Sequence, residues 1–229
     1  LTRLATKPAD TSPDDDIPFI GLTTGGADAL ECLLPKIGIA SDQFTNVGGG
    51  GRVNIYQGSG GSHLSGGSPS VTTFWTAQAN LMKYDMVMLG CEGSTHPENK
   101  TGTSLPNMEG YANAGGRVFG THFHYYWIKS NPAPSLWPST ATWNHGSNPP
   151  QTNWNVTIDQ SFTKGQAFAQ WMLNVGGSTT LGIFPIDEGR HDVDAVNSQP
   201  PTDPVSIRWV YGTSPNIVEY YTFNTPVGT

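Results

Sequence analysis

Two apolar runs, YDMVMLGCEG beginning at Tyr84 and GGRVFGTHFHYYW beginning at Gly115, constrain this chain more than any other feature. Each has the length of a strand, is apolar almost throughout and ends in polar residues, and a helical pattern lies between them. Strands covered by helices on both faces read this way, whereas half-exposed strands alternate. In an open parallel sheet, ligands collect outside the carboxyl ends of the strands. The two runs are therefore expected to bring Cys91, Glu92, His122 and His124 to one edge.

The rest of the pattern extends the same architecture. Ile17 to Thr24 reads as a strand, and after Gly25 and Gly26 the segment ADALECLLPKIGI has helical spacing until Pro35 and Gly38 stop it. Arg52 to Tyr56 is a second strand, followed by a Gly/Ser-rich loop over 58–70 and a helix over Thr73 to Met82. A helix over Asn107 to Ala114 leads into a strand from Arg117 to Thr121, with a possible extension through His124. Phe162 to Val175 is helical, and Thr180 to Pro185, Val205 to Tyr211 and Ile217 to Phe223 are strands, the last two joined by the turn sequence GTSPN. The expectation is an α/β fold, a mostly parallel sheet with helices on both faces and an antiparallel C-terminal edge. Residues 1–16 read as a linker and 17–229 as a single domain. A Trp/Pro-rich loop over 130–155 lacks periodicity, as lids and binding loops do.

Composition excludes some classes. Eleven Lys and Arg against a net charge of −7 argue against a nucleic-acid partner, since phosphate recognition needs concentrated cations. No run of 18 apolar residues is present, so no helical membrane span is expected. Solubility rests on Gly, Pro, Ser, Thr and Asn with only 13% charged residues, a balance that suits a secreted protein. The opening LTRLATKPADTSPDDD reads as what remains after a leader or preceding segment is removed. Cys32 and Cys91 are the only cysteines, and three states stay open: a disulfide between them, a buried free thiol, or a catalytic thiolate at Cys91.

Several groups could carry chemistry. If the strand extends through His124, period-two geometry puts His122 and His124 on one face, where zinc, copper or iron could bind with a third ligand from Glu92, His96, His145, His191, Asp192 or Asp194. The plainer reading has both imidazoles hydrogen-bonded within a packed aromatic turn. Glu92 could act as a general acid or base, or simply accept backbone hydrogen bonds. His191 sits beside Asp192 and Asp194, as an imidazole oriented by a carboxylate would. A Cys91–His–Glu nucleophile is another possibility; Ser94 and Thr121 carry hydroxyls, but no G-x-S-x-G elbow occurs. Tyr126, Trp127 and Trp143 could stack on sugar rings or grip a peptide.

The segments KYDMVMLGC, YANAGGRVFGTHFHYYW, FTKG and PVSIRWVYG…IVEYYTF, in this order over roughly residues 17 to 225, resemble the class I glutamine amidotransferase-like superfamily and its ThuA-like branch. TGGADALEC, CEGS, GGRVF and HDVDAVN resemble segments of uncharacterised secreted bacterial proteins, which bring no established activity with them. The resemblance implies a flavodoxin-like fold. It also implies a nucleophilic Cys at the end of the fourth strand, where this chain has Thr121, His122 and Phe123, so glutaminase activity is not expected. The expectation is then a secreted hydrolase-like domain acting on an extracellular polymer or glycan. Its rival is a non-catalytic module that binds a glycan, peptide or protein through the aromatic loop.

Overall fold

Strand and helix alternate through the first part of the chain and cease to alternate after it. The structure, a computed structural model, describes residues 5–13, 15–197 and 206–228, and the chain divides into two compact units, Leu1–Ser135 and Leu136–Thr229. Residues 1–4 and 14 of the expected linker, and Val205 at the head of an expected strand, lie outside the described residues.

In the first unit, β1 (Ile20–Thr24) leads to α1 (Leu30–Lys36), β2 (Phe44–Thr45) and β3 (Val53–Gln57). The helices α2 (Val71–Trp75) and α3 (Gln78–Leu81) precede β4 (Met86–Leu89), and α4 (Ser104–Asn113) precedes β5 (Arg117–Gly120). The expected helix over 73–82 is broken in two, because Ala77 adopts extended backbone between α2 and α3. The five strands form one parallel sheet in the order β2-β3-β1-β4-β5. Chain order reverses between β1 and β4, which gives the flavodoxin-like arrangement its switch point there.

Side-chain alternation explains why both faces are covered. Ile20 and Leu22 of β1, Val53 and Ile55 of β3 and Met88 of β4 point to one side and pack on Leu30 and Leu34 of α1. On the other side, Gly21 leaves room for the Phe74 ring of α2, which a Cβ at that position would meet at 2.5 Å. Phe74 stacks on Tyr56 at 4.1 Å and meets Tyr84 edge-on, and the Tyr84 hydroxyl donates to Asn54. Burial holds the Tyr84 hydroxyl far above its usual ionisation range, so this network stays neutral.

The second unit contains β6 (Ala141–Trp143), β7 (Trp154–Ile158), α6 (Thr163–Asn174), β8 (Ile183–Ile186), β9 (Val193–Val196), β10 (Ser206–Thr213) and β11 (Asn216–Phe223); α5 (Tyr126–Lys129) belongs to the first unit. The expected hairpin of the last two strands forms. It lies in a separate four-stranded antiparallel sheet, β11-β10-β7-β8, rather than at the edge of the parallel one. Trp154, Val156, Val210 and Ile217 form its core with Phe168 and Phe184. The Trp/Pro-rich segment carries more regular structure than its composition suggests: β6 pairs with β9, and β7 begins at Trp154 with strict in-and-out burial.

Candidate functional site

The carboxyl ends of β1, β3 and β4 are packed almost without space. A Cβ on Gly25 would lie 2.1 Å from the Cys91 carbonyl oxygen, and one on Gly61 would lie 2.3 Å from the Thr24 hydroxyl. Ala27 and Asp28 donate their backbone N–H groups to that same Cys91 carbonyl, so the turn from β1 into α1 is anchored on the end of β4. The loop over 58–70, composed for flexibility, is pinned here as well: the Thr24 hydroxyl donates to Ser62 O at 2.8 Å.

Glu92 follows Cys91 and is buried. Its Oε1 accepts from Ser59 N–H at 2.9 Å, and its Oε2 accepts from Lys100 Nζ at 3.0 Å. Lys100 also donates to the carbonyls of Thr95 and His96, and its ammonium lies 5.3 and 5.7 Å from the ring centroids of Trp75 and Trp127. Both side chains are withdrawn from solvent, and burial pulls the Lys100 ammonium below its ordinary range against the pull of Glu92. With both carboxylate oxygens occupied, Glu92 holds two loops to the strand end. The Ser59 contact comes from a different loop than the Gly/Ser segment after Glu92.

The shared face expected for His122 and His124 is replaced by a turn. β5 ends at Gly120, and residues 122–125 form a 3-10 helix in which His124 N–H donates to Thr121 O and His122 takes φ +27°. His124 therefore turns inward: Nε2–H donates to Gly90 O at 2.9 Å and Nδ1 accepts from Trp127 Nε1–H at 3.2 Å. Burial lowers its pKa to about 4, so it is a neutral structural imidazole. Both nitrogens are committed, which leaves none for a metal. Among the described residues no group of three or more His, Cys, Asp or Glu side chains is arranged to hold a metal ion.

His122 turns the other way, and its Nδ1 lies 3.7 Å from the Sγ of Cys91. The thiol sits just beyond β4, with its backbone N–H donated to Thr121 Oγ1 at 3.0 Å and Gly93 N–H directed at the sulfur from 3.4 Å. It is a free thiol and buried, as is the residue around it; Cys32 is free and exposed. The disulfide is thereby corrected. Leu30 and Leu34 set the buried stripe of α1, and Cys32, two residues from each, falls on the outer side of that helix.

The aromatic candidates divide. Trp127 is 1% exposed and meets Trp75 edge-on at 4.9 Å, so it is an interior wall rather than a surface platform. Tyr126 is half-buried on α5. Trp143, in the second unit, donates its indole N–H to Pro138 O. His191 and Asp192 also belong to the second unit, where each engages a partner of its own: His191 Nε2 contacts Asp194 at 2.6 Å and His145 Nδ1 contacts Asp192 at 2.9 Å.

Fold and site together define a flavodoxin-like α/β protein whose thiol–imidazole pair stands beside the switch point of a parallel sheet. No protein family, curated protein or solved structure matches the chain. Among the described residues no helix is long and apolar enough to cross a membrane.

Proposed function

We propose that the chain is a secreted thiol hydrolase that cleaves an acyl bond, amide or ester, in an extracellular polymer such as a peptide or a substituted glycan. The observation that carries this reading is the 3.7 Å contact between Cys91 Sγ and His122 Nδ1 at the strand ends. His122 accepts the thiol proton, and the sulfur attacks the acyl carbon. The bond to the leaving group then breaks, and that group takes the proton from His122. Water, deprotonated by the same imidazole, splits the thioester and restores the thiol. Cys91 is 1% exposed, so substrate reaches it only when neighbours such as Gly93 and His122, which contact the sulfur, give way. The positive φ of His122 marks that turn as a strained element of the kind found at functional sites. The resemblance to the amidotransferase-like superfamily agrees with the strand-end location. The thiol lies beyond β4 rather than beyond β5, where Thr121 stands in the place the resemblance gives to a nucleophilic Cys, and this separates the chemistry from glutamine hydrolysis. Composition supports secretion.

The test uses a Cys32→Ser background, because the exposed thiol would otherwise dominate. Native protein should be alkylated at Cys91 by iodoacetamide near neutral pH, and His122→Ala should slow this on the order of tenfold or more. Hydrolysis of activated acyl esters should disappear in Cys91→Ala. Alkylation of Cys91 only after unfolding, or equal rates with and without His122, would sink the assignment.

A second reading, a module that binds a glycan or peptide, is favoured by Trp171, 55% exposed on α6. Retention on an insoluble polymer that is lost in Trp171→Ala, with no acyl hydrolysis, would select it.

A further inference from the structure

Two segments of the second unit, 144–151 and 187–194, are laced together over a half-buried carboxyl group, one oxygen of which is fully buried. Asn144 N–H donates to Asp192 O, and its side-chain amide donates to both oxygens of Asp194 at 3.2 and 3.1 Å. Arg190 Nη1 donates to Gln151 Oε1 at 2.8 Å, and Glu188 N–H donates to Gln151 O. His191 N–H donates to Asn148 Oδ1 at 3.1 Å. The imidazole of His191 faces two acceptors, Asp194 Oδ1 through Nε2 at 2.6 Å and Ser147 O through Nδ1 at 3.2 Å. A ring can donate at both nitrogens only as imidazolium. His145, with Nδ1 at 2.9 Å from Asp192, adds a second histidine–carboxylate pair between the same segments.

Beneath the seam lies Glu219 of β11. Gly189 closes over it so tightly that a Cβ there would meet Pro149, Trp154 and Glu219 Oε1 at 2.8, 2.9 and 3.1 Å. Oε2 receives one long contact from Arg190 N–H at 3.5 Å, while Oε1 is buried with no hydrogen-bond partner. The charged groups acting on it are Arg190, His191 and Asp192 of the covering segment. On the neighbouring strands, β9 carries Asp194, held by His191 and Asn144. β10 carries Arg208, which is bound to Asp159 and stacked on Tyr211. An ionised carboxylate in this place has one oxygen unsolvated and Asp192 as a like-charged neighbour, whereas a neutral carboxyl carries no charge to desolvate.

We propose that the segments 144–151 and 187–194 form a proton-operated latch over Glu219, closed in acid and loosened as the solution becomes alkaline. Ionising Glu219 places an anion under the cover, with Oε1 unpartnered and Asp192 as a like-charged neighbour. Burial raises the Glu219 pKa to about 7. A carboxyl held above its open-state value favours the closed form fully below that open-state value and loses the contribution as pH rises through 7. The window therefore runs from about pH 4.5 to 7.

Hydrogen exchange, corrected for its intrinsic pH dependence, tests the latch on the full chain. Amides in 144–151 and 187–194 should lose about tenfold or more of their protection between pH 5 and pH 8. Those of β4 in the first unit should not. In Glu219→Gln, protection at pH 8 should stay close to the value the native chain shows at pH 5. Constant protection across the range, or an undiminished pH dependence in Glu219→Gln, overturns the proposal. Carbon-13 titration of the Glu219 carboxyl in the native chain provides a check that needs no variant. A midpoint near 7 supports the latch, and a midpoint in the ordinary carboxylate range overturns it.

Discussion

The two units each place acidic groups under cover, and they do so in opposite ways. At the ends of the parallel strands, Glu92 has a cation, a backbone donor and two indole walls around its partner, and each of its oxygens is bonded. In the antiparallel unit, Glu219 has one long contact and one orphan oxygen, and the ion pairs above it are partly exposed. A matched buried pair leaves neither oxygen of Glu92 without a partner. An unmatched carboxyl makes its surroundings depend on the proton. The difference arises from which neighbours each chain segment supplies.

The contrast can be broken by removing partners. Lys100→Met leaves Glu92 buried without its cation, and urea unfolding should show a loss of about 3–5 kcal/mol. Adding Glu92→Gln to Lys100→Met should recover part of it. If the single variant unfolds like the native chain, the pair is not what fastens the strand ends. Glu219→Gln should act with the opposite sign, stabilising the second unit at pH 8 by about 1–2 kcal/mol, reduced from the full linkage value because the group is only partly covered. At pH 4.5 the same substitution should be nearly silent. His145→Ala removes an exposed seam and should cost less than about 1 kcal/mol at pH 5. A larger cost would mean that this pair, rather than Glu219, governs the unit.

Much of the first unit was legible because a covered parallel strand has an unmistakable composition. YDMVML could be little else, and Gly25 and Gly26 announced the turn that β4 grips. The shared face for His122 and His124 needed extended backbone through His124, and the chain turns at Thr121 immediately after Gly120, so the reading of histidines held within an aromatic turn is the one His124 follows. Lys100 gave no signal: nothing in ENKTG marks a lysine destined for an indole-lined interior. In the second unit, WNVTI does alternate in the manner of a half-buried strand, yet Pro and Asn on its N-terminal side masked it. β6 and β9 are three and four residues long, too short for periodicity to register. Glu219 had a usable mark, a lone acid within the apolar strand IVEYYTF.

The peptide at Cys91 gives a final consequence. Its carbonyl receives the N–H groups of Ala27 and Asp28, its own N–H goes to Thr121, and its sulfur faces His122. Strand, neighbouring strand and the first turn of the fold thus meet at a single residue. Any adduct on the thiol must be transmitted to amides distant in sequence. The resonances of Ala27 and Asp28 form a built-in reporter of the chemical state of Cys91, readable without knowing the substrate.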